Sequence, residues 1–173
     1  MESRYAVSEV RTPIGSLRLA ATPQGLLRVA FPRQGGSGFA GAVARHLTDA
    51  ERVDGLPALD KAARELEEYF QGKRREFGVE LDLRGTPFQK SVWRALQGIP
   101  FGGTLSYSEL ARRVNRRQGQ RAVGTAAGAN PIPVIIPCHR LIRSDGQLGG
   151  FAGGLESKRR LLAHEKSLAS DWL

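Results

Sequence analysis

The chain has 173 residues and a net charge of +9, with 26 lysines and arginines against 17 acidic residues. Its single cysteine excludes an internal disulfide and a cysteine-based zinc cluster. No stretch approaches the roughly 18–20 apolar residues of a membrane-crossing helix, and Met1-Glu2-Ser3-Arg4-Tyr5 shows no apolar leader; a reducing compartment, the cytoplasm or its nucleoid, is expected.

Apolar residues at Tyr5, Val7 and Val10, at Leu17 and Leu19, and at Leu26, Leu27, Val29 and Phe31 predict three short strands. Turn chemistry at Pro13-Ile14-Gly15 and Thr22-Pro23-Gln24-Gly25 joins them into an antiparallel meander. A Gly-rich loop is expected over 33–38. Helical spacing follows at Phe39, Val43 and Leu47, and again at Leu59, Ala62, Ala63, Leu66, Tyr69 and Phe70, with Gly72 as the stop. Lys73-Arg74-Arg75 reads as a solvated basic turn, and Phe77 to Leu83 as a short strand and connector.

A second unit is expected to begin at Gly85, dividing the chain into an N-terminal α/β domain, 1–84, and a C-terminal domain, 85–173. Thr86-Pro87-Phe88-Gln89 is a helix start with N-cap, first-turn proline and capping-box glutamine. Ser106 caps the next helix with Glu109 as its box partner, and Asn115 to Gly119 form a polar turn. A third helix spans roughly Gln120 to Ala129 and ends before Pro131. Two short helices joined by a tight turn suggest a helix-turn-helix. The second is built from small residues, among them Ala122, Gly124, Thr125 and Ala127, behind a basic entrance at Arg116, Arg117 and Arg121. Such a face suits a narrow nucleic-acid groove, and the arginine excess points the same way; close helix–helix packing is the competing use of small residues.

The chemistry is concentrated at Val134-Ile135-Ile136-Pro137-Cys138-His139-Arg140, where an apolar run delivers the only thiol beside an imidazole and a guanidinium. A base or cation that favours the thiolate makes such a cysteine a nucleophile, and this setting is expected to lower its pKa. The glycine-dense stretch 144–154 lacks the ending of a phosphate-binding loop and suits close backbone approach to a flat ligand. A final helix is expected from about Leu155 to Glu165.

Assembled, these residues resemble the O(6)-alkylguanine-DNA alkyltransferase (methylated-DNA–protein-cysteine methyltransferase) family. The resemblance rests on Arg121-Ala122-Val123-Gly124, Asn130-Pro131-Ile132-Pro133, Ile136-Pro137-Cys138-His139-Arg140, Phe151-Ala152-Gly153-Gly154-Leu155 and Leu161-Leu162-Ala163-His164-Glu165, over roughly residues 85–166. It implies an α/β (α+β) chain: a ribonuclease H-like N-terminal domain with a small antiparallel sheet, and a mostly helical C-terminal winged helix-turn-helix domain carrying the active site. It implies repair by direct damage reversal. The alkyl group of O6-alkylguanine, and of O4-alkylthymine, in a flipped base of duplex DNA moves irreversibly to Cys138 in one turnover. His139 would deprotonate Cys138 through a water, oriented by Glu165, and Asn130 would anchor the turn beside the recognition helix. Arg121 would fill the gap left by the flipped base. Tyr107 would contact a phosphate and the base, assisted by Lys158. Leu141, Phe151, Ala152 and Gly153 would form the base pocket.

The implied partner is double-stranded DNA bearing alkylated guanine, approached from the minor groove by a monomer that can bind cooperatively, with no membrane. No cofactor is implied. The N-terminal half lacks the cysteines through which some members bind zinc, so no metal is expected. Phe151 and Ala152 stand where other members carry Tyr and Ser. Two alternatives remain open: a non-catalytic binder of alkylated DNA, against which Cys138 argues, and a cysteine hydrolase using Cys138, His139 and Glu165.

Overall fold

A computed structural model describes residues 4–31, 37–115, 119–151 and 153–170. Arg116, Arg117 and Ala152, and the expected loop as far as residue 36, lie outside the described residues; Ser37 and Gly38 already belong to a helix rather than to that loop. Contacts divide the chain into two compact units, Met1–Leu83 and Arg84–Leu173.

In the first unit, β1 (Arg4–Thr12), β2 (Gly15–Thr22) and β3 (Gly25–Ala30) form the antiparallel meander. Gly15 and Gly25 sit at φ 105° and 156°, so the tight turns fall where glycine tolerates them. Helix α1 (Ser37–His46) lays Phe39 and Val43 on one face of the sheet, against Ala20, Leu27 and Ala30. A two-residue strand β4 (Glu51–Arg52) pairs parallel with β1, giving the order β3-β2-β1-β4. Sequence pattern misses β4 because two exposed residues carry no alternation. Helix α2 (Pro57–Phe70) buries Leu59, Ala62, Leu66 and Tyr69, and packs on β1, β2 and β3. Among the described residues, the stretch expected as a strand over 77–83 makes one bridge, Leu81 to Leu26. Glu65, almost fully buried, explains part of this: its carboxylate accepts the Gly78 and Val79 amides, which a ladder would otherwise use.

In the second unit, α3 (Pro87–Gln97) and α4 (Tyr107–Arg113) both start with complete capping boxes, Thr86 with Gln89 and Ser106 with Glu109. Asn115, at φ 60°, turns the chain after α4, and α5 (Gln120–Gly128) packs against α3 and α4. Trp93 donates its indole N–H to the Ala126 carbonyl at 2.9 Å, tying α3 to α5 in the core. Strand β5 (Leu105–Ser106) pairs parallel with β6 (Leu141–Ile142), which brings the segment after Cys138 alongside α4. Helix α6 (Leu155–Ser170) closes the unit and continues past Glu165. Among the described residues no helix is long and apolar enough to cross a membrane.

Candidate active site

The segment from α5 to Cys138 is held by one side chain. Asn130, buried, accepts the Ile132 amide at 2.9 Å and donates to the Ile136 carbonyl at 2.8 Å. Ile136 in turn donates its amide to the Ile132 carbonyl, and Val134 at the apex adopts φ 74°. A β-branched residue in the left-handed region is strained by about 1–3 kcal/mol, and only the complete burial of Val134 and its neighbours over-determines it. The chain leaves this turn through Pro137 into a single 3-10 turn, Cys138–Arg140.

That turn sends its side chains two ways. Cys138 reaches the floor of a cleft of about 410 Å³ with Tyr107, Asn130, Leu141 and Phe151, and with Gly124 and Ala127 of α5. His139 and Arg140 point into the protein toward α6. His139 is fully buried, with its Nε2 2.7 Å from Glu165 Oε2. Since a carboxylate accepts, Nε2 carries the hydrogen and Nδ1 keeps a free lone pair; among the described residues Nδ1 is buried without a partner. Arg140 forks onto the same carboxylate, Nε to Oε1 at 2.8 Å and Nη2 to Oε2 at 2.9 Å, and donates Nη1 to the Ile99 carbonyl at 2.6 Å.

These contacts set the charges. Burial raises the Glu165 pKa, but the hydrogen bonds and charges of His139 and Arg140 outweigh it and hold the carboxyl well below its usual range. Burial holds His139 below its ordinary value, although Glu165 pulls it upward. The expected low-pKa thiol is not found. Burial pushes Cys138 up to about 11, against the Asn130 hydrogen bond and the Lys158 charge. One face of Cys138 opens to the cleft, yet the sulfur is enclosed by protein, and that enclosure decides the direction. Arg140 does not help the thiol because its charge is spent on Glu165. That enclosure favours the neutral thiol over the thiolate.

Tyr107, the first residue of α4, stands at the cleft mouth between Gly124 and Gly149. Burial, then the Cys138 charge, raises its pKa, so it stays a hydroxyl able to donate. Lys158 lies fully buried. Its ammonium donates to the carbonyls of Leu141 at 2.6 Å, of Leu148, and of Gly150 at 3.3 Å, pinning the strand and loop that wall the cleft. Burial lowers its pKa to about 8, with Cys138 opposing. The Leu141 carbonyl is thus already engaged. Gly153 is buried and is not among the residues that line the cleft. On α5, Arg121, Ala122 and Thr125 are exposed together. Ala127 departs from the expected smooth outer face: it is buried, and its methyl lines the cleft. Gly124 is half-buried against Tyr107. Arg121 borders a shallower depression with Gln120, Arg143 and Asp145. Sequence reading set Arg140 beside the thiol and Gly150 in a loop for ligand approach, and did not single out Arg143; the structure turns Arg140 to Glu165 and sets Gly150 in the cleft lining.

Comparison with known proteins agrees over both units. Residues 4–83 match the ribonuclease-like domain, and residues 87–167 the DNA binding domain, of 6-O-methylguanine DNA methyltransferase. The methylated-DNA–protein-cysteine methyltransferase of Methanosarcina barkeri is 41% identical over 158 residues, 91% of this chain and 95% of that protein. Its counterpart in Mycobacterium tuberculosis is 52% identical over 112 residues, 65% of this chain and 68% of that one. A crystal structure of Mycobacterium tuberculosis OGT in complex with DNA superposes with a TM-score of 0.81 at 41% identity, covering 95% of this chain and 94% of that one. The methyltransferase of Pyrococcus kodakaraensis gives 0.64 at 27% identity, covering 93% and 98%. Similarity of this extent across both units makes the chain a member of the 6-O-methylguanine DNA methyltransferase family.

Proposed function

We propose that this chain is a methylated-DNA–protein-cysteine methyltransferase that repairs alkylated guanine in duplex DNA by direct reversal, with Cys138 as the acceptor. The observation that carries the residue assignment is the lone thiol at the floor of a cleft that begins beside the exposed face of α5.

In this reading α5 enters the minor groove, and Arg121 occupies the space of the flipped base. Ala122 and Thr125 lie against the groove, while Gly124 and Ala127 form the cleft wall rather than the outer face. The flipped base rests between Phe151 and the backbone at Leu141, Ala152 and Gly153, in a pocket whose wall Lys158 pins. Tyr107 donates a hydrogen bond to the base. The Cys138 proton passes through a bridging water to Nδ1 of His139, whose Nε2–H is held by Glu165. The sulfur lone pair forms the S–C bond as the C–O6 bond breaks. The electron pair goes to the purine, which takes back the proton and is restored as guanine within the DNA. Water does not cleave the resulting thioether, so each molecule acts once. O4-alkylthymine presents the same reacting carbon on a smaller ring and is a second substrate. The protein works in the cytoplasm on nucleoid DNA, as a monomer that can bind DNA cooperatively.

The test is stoichiometric. Guanine restored in a duplex carrying O6-methylguanine should rise with protein and stop at one equivalent. Cys138→Ser should restore none and still retain the duplex in a gel-shift assay. Continued turnover would point to a hydrolase, and full binding without restoration by the native protein to a non-catalytic binder.

A further inference from the structure

Arg140 lies in the cluster behind Cys138, but the reaction described above gives it no task. It is nonetheless buried and held by three hydrogen bonds. Its guanidinium takes both oxygens of Glu165 on one edge and the Ile99 carbonyl on the other, with the Phe101 ring 5.7 Å from its centre. Arginine is not needed merely to place a carboxylate; a neutral donor could do that. What arginine adds is a full positive charge on the group that also accepts from His139.

The charge matters because of how Glu165 and His139 meet. A lone buried carboxylate 2.7 Å from an imidazole favours the ion pair, in which the ring already holds a proton and cannot receive one from a thiol. Glu165 shares Oε2 between His139 and Arg140 and gives Oε1 to Arg140 and, at 3.4 Å, to the Gly102 amide. Most of its charge is therefore answered by Arg140. We infer that Arg140 is a positioning residue that cancels the charge of Glu165, so that Glu165 orients His139 without protonating it and leaves Nδ1 free as the base. The groups facing His139 are Glu165 and Lys158 from α6 and Cys138 and Arg140 from its own turn, while the chain after α3 contributes the Ile99 carbonyl and the Phe101 ring to Arg140. Burial is the largest influence keeping the ring neutral, Glu165 opposes it, and Arg140 and then Lys158 reinforce it.

The inference rests on the proposed use of His139 as base, and two readouts separate them. Methyl transfer to Cys138 by the native protein tests that reading. Titration of the His139 ring by nuclear magnetic resonance tests Arg140 directly, whether or not transfer occurs. Arg140→Met, which keeps bulk and loses charge, should move the ring's midpoint to higher pH. On the acid limb its transfer rate should fall about tenfold more than on the plateau, one decade for each unit of displacement. Arg140→Lys keeps the charge and loses the fork, and should restore the midpoint even where the plateau rate stays low. Should Arg140→Met fail to fold, the comparison is made in Glu165→Gln, because removing both members of a buried pair costs less than removing one. Adding Arg140→Met to that variant removes both charges, so the midpoint should return close to the native one, and a midpoint well away from it would overturn the cancellation. A midpoint that stays put, with both variants losing rate equally at every pH, would overturn the inference and leave Arg140 as a brace.

Discussion

Glu165 accepts from His139, Arg140 and the Gly102 amide while almost wholly buried, so its replacement exposes how the cluster is balanced. Glu165→Gln keeps the shape but leaves Arg140 charged, buried and unanswered. Breaking one side of such a pair costs about 3–5 kcal/mol, which chemical denaturation should read as a lower midpoint with an unchanged slope. Acid should act on the same residues in the native protein. The folded state holds His139 neutral below its ordinary value near 6.5, so the unfolded chain takes up that proton first. Stability from His139 is complete above about pH 6.5 and is lost as pH falls through its lower folded value. Glu165, also depressed, adds a second loss once pH drops below the ordinary carboxylate range near 4.5. Thermal melts should fall as pH drops below about 6.5. A melting temperature that is flat or rising on acidification to about pH 5 would contradict this assignment of charge.

Among the elements, the turn between α5 and Cys138 is the one that local chemistry alone does not build. Asn130→Ala removes the hydrogen bonds to Ile132 and Ile136 and strands the Ile132 amide and the Ile136 carbonyl in a buried setting. Each orphan costs about 1–3 kcal/mol, so a loss of at least about 2 kcal/mol is expected. Because Asn130 also lowers the thiol's pKa, methyl transfer should slow beyond what stability explains, with the loss partly recovered at alkaline pH. Equal slowing at every pH would mean that the turn, not the thiol, is what Asn130 serves. The helices around this turn were legible in the sequence because their signals are local: Thr86 with Gln89 and Ser106 with Glu109 write the capping boxes directly. The meander was legible for the same reason, through Gly15 and Gly25 at positive φ. Neither β4 nor the engagement of Glu65 at Gly78 and Val79 could be read, since each depends on partners distant along the chain. At the site, the motif identified Cys138, His139 and Glu165. It hid the direction of the thiol's pKa, which is set by enclosure, and it hid Arg140, whose charge faces Glu165 rather than its sequence neighbour Cys138.

At the scale of the molecule, a net charge of +9 and an exposed Arg121 on α5 predict a DNA affinity that is largely electrostatic. Log K should decline linearly with log salt, and Arg121→Ala should impair repair in duplex far more than reaction with a free alkylated base, because no gap has to be filled there. A flat salt response, or equal loss on both substrates, would count against that picture. Cys138, His139 and the exposed face of α5 all lie within the second unit, Arg84–Leu173, so the proposed acceptor belongs to that unit. Intact mass and peptide mapping, after incubation with duplex containing O6-methylguanine, test this most directly. The account predicts a single added methyl group, on Cys138, reached at one equivalent and never exceeded. A methyl group on any other residue, or an unmodified protein that keeps restoring guanine, would contradict it.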